Sequence, residues 1–214
     1  MTRAIDPNAV RYVSLLALLA GAAIMVTSLA GGPARAAEPA GAVLLVAKPE
    51  FHNPLWGQTV LLAAPAPRGG HLGIILNRPT DTTLGALFPD DAPSQKVANP
   101  VYFGGPFHLP VIIAVVRNAE RPTGSGVRTL PLTDELSLAV ERDTVDRIIA
   151  QSSDRARYYV GLVLWRPGEL RVELERGLWS VRGADAATVL RDDTRRLWRE
   201  LSRDLRAVVA AAER

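Results

Sequence analysis

The chain has 214 residues, 48% of them hydrophobic, and a formal net charge of +3 at pH 7. That length allows one domain with a substantial core and leaves room for appended segments. Because the sequence contains no cysteine, disulfides, thiolate metal sites, cysteine nucleophiles and a lipid-modified cysteine are excluded.

Residues 1–36 have the pattern of an export signal. Arg3 and Arg11 precede an uncharged run, Val13–Ala30, and an Ala-x-Ala site follows at Ala34–Ala36. The run is also just long enough to cross a bilayer. Three interpretations stay open: a cleaved signal peptide, an uncleaved anchor, or a misassigned start codon. They predict a periplasmic protein, one anchored in the inner membrane, and a cytoplasmic one, respectively.

The charge of the mature chain gives little reason to expect nucleic acid as a partner. Cleavage after Ala36 would remove three arginines and one aspartate, which lowers the net charge from +3 to +1. A nearly neutral domain has no cationic field to attract a polyanion. Membrane contact is expected only through the N-terminal segment, if it is not cleaved.

Short apolar runs bounded by glycine, proline or charged residues predict buried strands. These runs are Gly41–Ala47, Thr59–Ala64, the run after Gly69-Gly70 that ends before Asn77, Val101–Phe103, Val111–Val116 and Tyr158–Trp165. Val127–Leu132, interrupted by Pro131, predicts an edge strand. Glu169–Leu174 alternates apolar and polar residues and predicts a half-exposed strand.

Three segments predict helices. Thr80 or Asp81 can cap a brief helix through Phe88, and a second helix covers Thr144–Gln151. An amphipathic helix is expected from Ala186 to the end of the chain. Because strands and helices are mixed without strict alternation, we predict a single α+β domain over residues 37–214.

The best candidate site is Asn77-Arg78-Pro79. A proline cannot donate to a strand ladder, so the preceding strand must end here and leave two polar side chains beside a cleft. Arginine can bind a carboxylate or phosphate with a two-pronged hydrogen bond. The alternative is structural, with Arg78 paired to Asp81 and Asn77 capping the turn.

A second glycine-rich turn, Gly104-Gly105-Pro106, could form a nest of backbone N–H groups for an anion. A purely structural need for positive φ explains the same glycines. Neither the histidines nor the serines lie in a metal-binding or nucleophile motif, so no metal, cofactor or catalytic residue is predicted. Glu169 and Glu173 could form an acid pair or, together with Glu175, a solvated stripe. The mixed charges of the C-terminal helix favour a solvated face.

Two stretches resemble motifs of the YqgE/AlgH family. They are the run from Gly69-Gly70 to Asn77-Arg78-Pro79 and the turn Phe103-Gly104-Gly105-Pro106. Further matching motifs occur in the family's order: Asn53-Pro54, Gly161, Trp165 to Leu170, Glu173, Gly177 to Trp179, and Leu197-Trp198. The resemblance covers nearly all of Gly41–Leu201 and implies a mostly β, bifurcated-sheet pseudo-barrel with flanking helices. The family has no established biochemical activity and is generally cytoplasmic. Glu169 and Arg171 stand where the family usually has glutamine and glutamate.

We therefore expect a non-enzymatic binding or scaffolding protein, whose partner is another protein or a small anionic ligand. Its cleft is predicted to contain Asn77, Arg78, Pro79, Gly104, Gly105, Pro106, Trp165 and Gly168. A transcription-linked regulator is the alternative, and a hydrolase of unrecognised type is a further one.

Overall fold

A computed structural model describes residues 37–152 and 155–203. Its strands are β1 (Val43–Ala47), β2 (Val60–Pro65), β3 (His71–Ile75), β4 (Pro79–Thr83), β5 (Pro100–Phe103), β6 (Phe107–Arg117), β7 (Leu130–Pro131), β8 (Leu136–Ala139), β9 (Ala156–Trp165) and β10 (Trp179–Gly183). Its helices are α1 (Leu84–Leu87), α2 (Arg142–Ser152), α3 (Glu169–Glu175) and α4 (Ala186–Val189). A further helical segment over residues 197–203 is called the terminal helix below.

The sheet forks at β9. Along the main path the strand order is β10-β1-β2-β3-β9-β6-β8-β7, with every neighbouring pair antiparallel. The first half of β9 pairs with β6 on one edge and with β5 on the other, whereas Val163–Trp165 pairs with β3. Gly161, with a φ of 70°, lies where the partner changes. The protein is thus an α+β, curled antiparallel half-barrel, and the predicted bifurcated sheet is confirmed.

The predicted buried strands are confirmed at their expected places. The strands β2 and β3 contain buried residues throughout except Pro65, as expected for apolar runs without alternation. Their inward side chains meet Tyr159 of β9 and Ile113 of β6 in one core. This core packs against β3 along its length, up to the end from which Asn77 and Arg78 project.

The predicted strand over Glu169–Leu174 is wrong, because this segment forms helix α3. Leu170, Val172 and Leu174 fit a period of two, but only six residues were available to distinguish the two periods. In the helix, Leu170 is fully buried and Leu174 lies four residues on, on the same face. Val172 points outward and is 41% exposed.

Three smaller boundaries also differ from expectation. Residues 79–83 form strand β4, and α1 is capped by the Thr83 side chain, which accepts from the Ala86 N–H, rather than by Thr80 or Asp81. Only Leu130–Pro131 of the predicted edge strand is in the ladder, and it pairs with β8, a strand that the sequence analysis missed. Short strands of this kind carry too few residues for a clear periodicity.

The predicted continuous C-terminal helix is wrong in its described part. Helix α4 covers only four residues, and an irregular stretch separates it from the terminal helix. The predicted signal or anchor segment and the residues after 203 lie outside the described part of the chain. Within residues 37–152 and 155–203, no helix is both long and apolar enough to cross a membrane.

Candidate functional site

An open cleft of about 260 Å³ lies beyond the end of β3, and we call it the arginine cleft. It is lined by Gly57, Gln58, Asn77, Arg78, Arg195, Trp198 and Arg199. Two of these residues belong to the best site predicted from the sequence. The others come from the loop before β2 and from the region around the start of the terminal helix.

The loop before β2 is shaped by its own side chains. The side-chain oxygen of Asn53 accepts the backbone N–H groups of Leu55 and Trp56, at 2.9 and 3.0 Å. The Gly57 N–H donates to the Asn53 carbonyl at 2.8 Å, and a Cβ on Gly57 would lie 2.8 Å from that same oxygen. The tight turn therefore requires glycine, and it sets the position of the next residue, Gln58.

Asn77 holds this loop against β2. Its side-chain N–H donates to the Gln58 carbonyl at 2.8 Å, and its side-chain oxygen accepts the N–H of buried Val60 at 2.9 Å. Gln58 has a φ of 57°, a backbone conformation that residues other than glycine rarely adopt. Asn77 thus satisfies two backbone groups that follow directly on a strained residue, instead of only capping its own turn.

Arg78 is fixed by one end of its guanidinium. The Nη2 group donates to the Leu55 carbonyl and to the Thr59 hydroxyl, the latter at 3.2 Å. No ion pair to Asp81 forms. Partial burial lowers the pKa of Arg78, because the charged guanidinium loses hydration that no carboxylate replaces. Its Nη1 and Nε groups have no partner in the described part of the chain, so they are available to a ligand.

Arg195 and Arg199 approach the cleft from the opposite side. Both side chains are exposed, and neither forms an ion pair with a described residue. Among the nearby acidic residues, Glu200 pairs with Arg191 at 2.6 Å. The Asp193 side chain accepts the Arg195 backbone N–H at 3.1 Å. The indole N–H of Trp198 donates to the Ala47 carbonyl at 2.7 Å and ties the terminal helix to β1. Charge counting along the sequence missed this convergence.

Pro79 begins strand β4, where it pairs with Tyr102 of β5. The first position of a strand suits proline, which has no N–H to donate. The Phe103 N–H donates to the Arg78 carbonyl at 2.8 Å. Pro79 therefore guides the backbone away from the cleft and does not line it.

The Gly-Gly-Pro turn packs against β9 and does not line the arginine cleft. The Gly104 N–H donates to the Val160 carbonyl at 2.9 Å, and the Gly104 carbonyl accepts the Ile75 N–H at 2.9 Å. Gly104 and Gly105 are buried, and Pro106 follows them into β6. The Gly104 N–H is therefore not available for an anion.

Trp165 and Gly168 lie at the other end of β3. Trp165 pairs with His71, and the distance from there to Asn77 is roughly 20 Å at the rise of a strand. Trp165 is buried, and the Gly168 N–H donates to the Glu38 carboxylate at 3.0 Å. The structure thus brings together only part of the predicted cleft.

The histidines do not gather into a site. The Nε2–H of buried His71 donates to the Pro39 carbonyl at 3.0 Å, and the His52 ring contacts the Glu50 carbonyl. Across the described residues, no group of three histidine, aspartate or glutamate side chains is placed to hold a metal ion.

Glu173 on α3 is a half-buried carboxyl group next to tryptophan. The Trp179 indole N–H donates to it at 2.8 Å. Burial raises the pKa of Glu173, because the charged form loses hydration, and Glu169 one turn away adds to the effect. Glu175, placed with them on one strand face by the sequence analysis, lies on another side of the helix.

We expect Glu173→Gln to stabilise the protein at neutral pH but not at pH 4. A raised carboxyl pKa in the folded state contributes stability below the unfolded pKa, near 4.3, and that stability is lost as pH rises through the folded pKa. Glutamine resembles the protonated carboxyl at every pH. Thermal unfolding from pH 4 to 8 should show the two proteins diverging upward of pH 4. Glu135→Gln, on an exposed residue, is the control, and parallel curves for Glu173→Gln would contradict the prediction.

Comparison with known proteins identifies the family. A family model described as AlgH-like matches residues 44–209. The chain belongs to the AlgH-like family. UPF0301 protein SCO2948 of Streptomyces coelicolor is 31% identical over 172 residues, which cover 78% of this chain and 87% of that protein. UPF0301 protein ML0028 of Mycobacterium leprae is 30% identical over 162 residues, 75% of this chain and 79% of that protein.

Two solved structures of AlgH-like fold superpose on the chain. The crystal structure of protein DIP2367 from Corynebacterium diphtheriae has a TM-score of 0.62 at 24% identity, over 78% of this chain and 88% of that one. The solution structure of the AlgH protein from Pseudomonas aeruginosa has a TM-score of 0.60 at 24% identity, over 82% and 92%. At this identity the similarity shows the fold.

Proposed function

We propose that this AlgH-like protein is a non-enzymatic binding protein that captures an anionic group in the arginine cleft. The observation that carries the proposal is the convergence of Arg78, Arg195 and Arg199 on one cleft, in which no described lining residue is acidic. Three like charges in one cleft repel each other, and a bound anion would relieve that repulsion.

The lining favours binding over catalysis. It offers the arginine guanidinium groups and the Gln58 amide, which donate hydrogen bonds and stabilise negative charge. Its described residues include no histidine and no hydroxyl, thiol or carboxylate side chain that could transfer a proton or attack a substrate. An anion would therefore be held in the cleft without being transformed by it.

Inorganic phosphate is the simplest probe of this proposal. We expect saturable phosphate binding by calorimetry, at ionic strength held constant with chloride. The double variant Arg195→Gln/Arg199→Gln should bind at least tenfold more weakly, since each charge-assisted hydrogen bond is worth about 1.5–3 kcal/mol. The variant should remain folded, because both side chains are exposed and have no described partner.

Arg196→Gln is the matched control, since it removes one positive charge from an exposed residue next to Arg195 that does not line the cleft. It should bind phosphate like the wild type. Equal weakening by the control would attribute binding to overall charge. An unchanged affinity in the double variant, or no saturable binding by the wild type, would refute the proposal.

A further inference from the structure

We infer that the ligand of the arginine cleft is a phosphate monoester with a small body that can form hydrogen bonds. The phosphate would lie among Arg78, Arg195 and Arg199, and Gln58 would contact the group beside it. This inference rests on the proposed function and names the ligand class of that same cleft.

The number and geometry of the cationic groups favour a phosphate monoester over a carboxylate. Arg78 already uses both N–H groups of Nη2 on Leu55 and Thr59. A guanidinium binds a carboxylate with two parallel hydrogen bonds, either from Nη1 and Nη2 or from Nε and Nη2. Both arrangements need a free N–H on Nη2, so Arg78 can offer only single N–H groups to a ligand. Three separate donors suit the three terminal oxygens of a phosphate monoester, whose charge of nearly −2 matches the cluster better than one carboxylate does.

The size of the cleft limits the size of the ligand. Pockets for drug-sized ligands typically measure about 300–1,000 Å³, and this cleft has about 260 Å³. Trp198 forms one wall next to the two arginines of the terminal region. The phosphate would therefore be attached to a small organic body.

The backbone of Gln58 has an unfavourable conformation at the edge of the cleft. Its φ of 57° would cost glycine nothing but disfavours glutamine and most other residues. Asn77 holds this conformation through the Gln58 carbonyl, while the exposed Gln58 side chain forms no hydrogen bond in the described part of the chain. The fold makes no use of the glutamine side chain. A strained, non-glycine residue that lines a cleft points to a ligand contact, and an amide would bind a hydroxyl or amide of the ligand.

The test compares three probes by calorimetry at constant ionic strength: sn-glycerol 3-phosphate, inorganic phosphate and succinate. We expect glycerol 3-phosphate to bind at least tenfold more tightly than succinate. Its affinity should rise about tenfold from pH 5 to pH 7.5, because a phosphate monoester becomes a dianion near pH 6. The described residues that line the cleft include no histidine and no carboxylate, so the change would belong to the ligand.

Gln58→Gly separates the ligand contact from the fold. It should weaken glycerol 3-phosphate about five- to tenfold, leave inorganic phosphate unchanged, and not lower the unfolding temperature, because the strain is removed. Gln58→Asn, which keeps an amide and tolerates positive φ, should retain part of the affinity.

The outcomes distinguish the two proposals. If none of the probes binds, the proposed function fails and this inference fails with it. If succinate binds as tightly as glycerol 3-phosphate and still depends on Arg195 and Arg199, the proposed function stands and the inference is overturned. The inference is likewise overturned if glycerol 3-phosphate binds no more tightly than inorganic phosphate and is indifferent to Gln58→Gly.

Discussion

Gly161→Ala should destabilise the protein by about 3–5 kcal/mol, enough to lower the unfolding temperature by roughly 10 °C. An alanine at a φ of 70° costs about 1–2 kcal/mol. Its Cβ would also lie 2.3 Å from the Gly105 carbonyl oxygen and 2.9 Å from that of Phe107. Because these are backbone atoms, no rotamer change can relieve the clash. Relief would require separating β9 from the Gly-Gly-Pro turn, which would open the fork of the sheet.

Two other glycines separate the contributions to this loss. Gly126 has a φ of 81°, but its Cβ would come no closer than 3.9 Å to any atom, so Gly126→Ala should show the backbone cost alone, about 1 kcal/mol. Gly183 has neither positive φ nor a neighbour within 4 Å, so Gly183→Ala should be nearly neutral. Chemical denaturation of the three variants measures the series. A loss for Gly161→Ala no larger than that for Gly126→Ala would show that the strands tolerate separation at the fork.

The strands that meet at this fork could be predicted because the pattern within each segment is enough to indicate a buried strand. The run before Asn77 and the run Tyr158–Trp165 are almost entirely apolar, and a proline follows each within three residues, which is typical of strands buried on both faces. Helix α3 could not be assigned in the same way. Its six predicted residues fit both periods, and the choice depends on the tertiary contact that buries Leu170. The fork itself was expected only from the family resemblance, since no local pattern marks a strand with three partners.

The candidate site shows the same limit. Asn77 and Arg78 could be located because Pro79 ends the strand after them, but their contacts with the loop before β2 are long-range. Arg195 and Arg199 were assigned to a solvated face, because acidic residues alternate with arginines in that segment. In the structure Glu200 forms an ion pair with Arg191. Neither Arg195 nor Arg199 at the cleft forms an ion pair with a described residue. The net charge of a segment cannot show which of its charged side chains pair with each other.

Arg157→Met should destabilise the protein by about 2–6 kcal/mol, since each of two buried acceptors left unpaired costs about 1–3 kcal/mol, and should loosen the chain that leads to the arginine cleft. Arg157 is only 6% exposed, and its guanidinium donates to the Val189 and Arg191 carbonyls. It also lies 4.9 Å from the centre of the Tyr102 ring, in a cation–π contact. Methionine would preserve much of the packing volume but leave both carbonyls without a donor. Lysine should recover less than half of the loss, because one ammonium does not reproduce the planar fork.

Arg155→Gln is the matched control. Arg155 and Arg157 both line a cavity of about 200 Å³, but Arg155 is exposed and has no described partner. It should leave stability within about 0.5 kcal/mol of the wild type. Limited proteolysis provides a second measurement, in which Arg157→Met should become sensitive between Leu190 and Leu197. Since the segment held by Arg157 leads directly to Arg195, the same variant should weaken phosphate binding although it touches no lining residue. A stable Arg157→Met protein with wild-type phosphate affinity would show that Trp198 and Leu197 alone position the cleft's second wall.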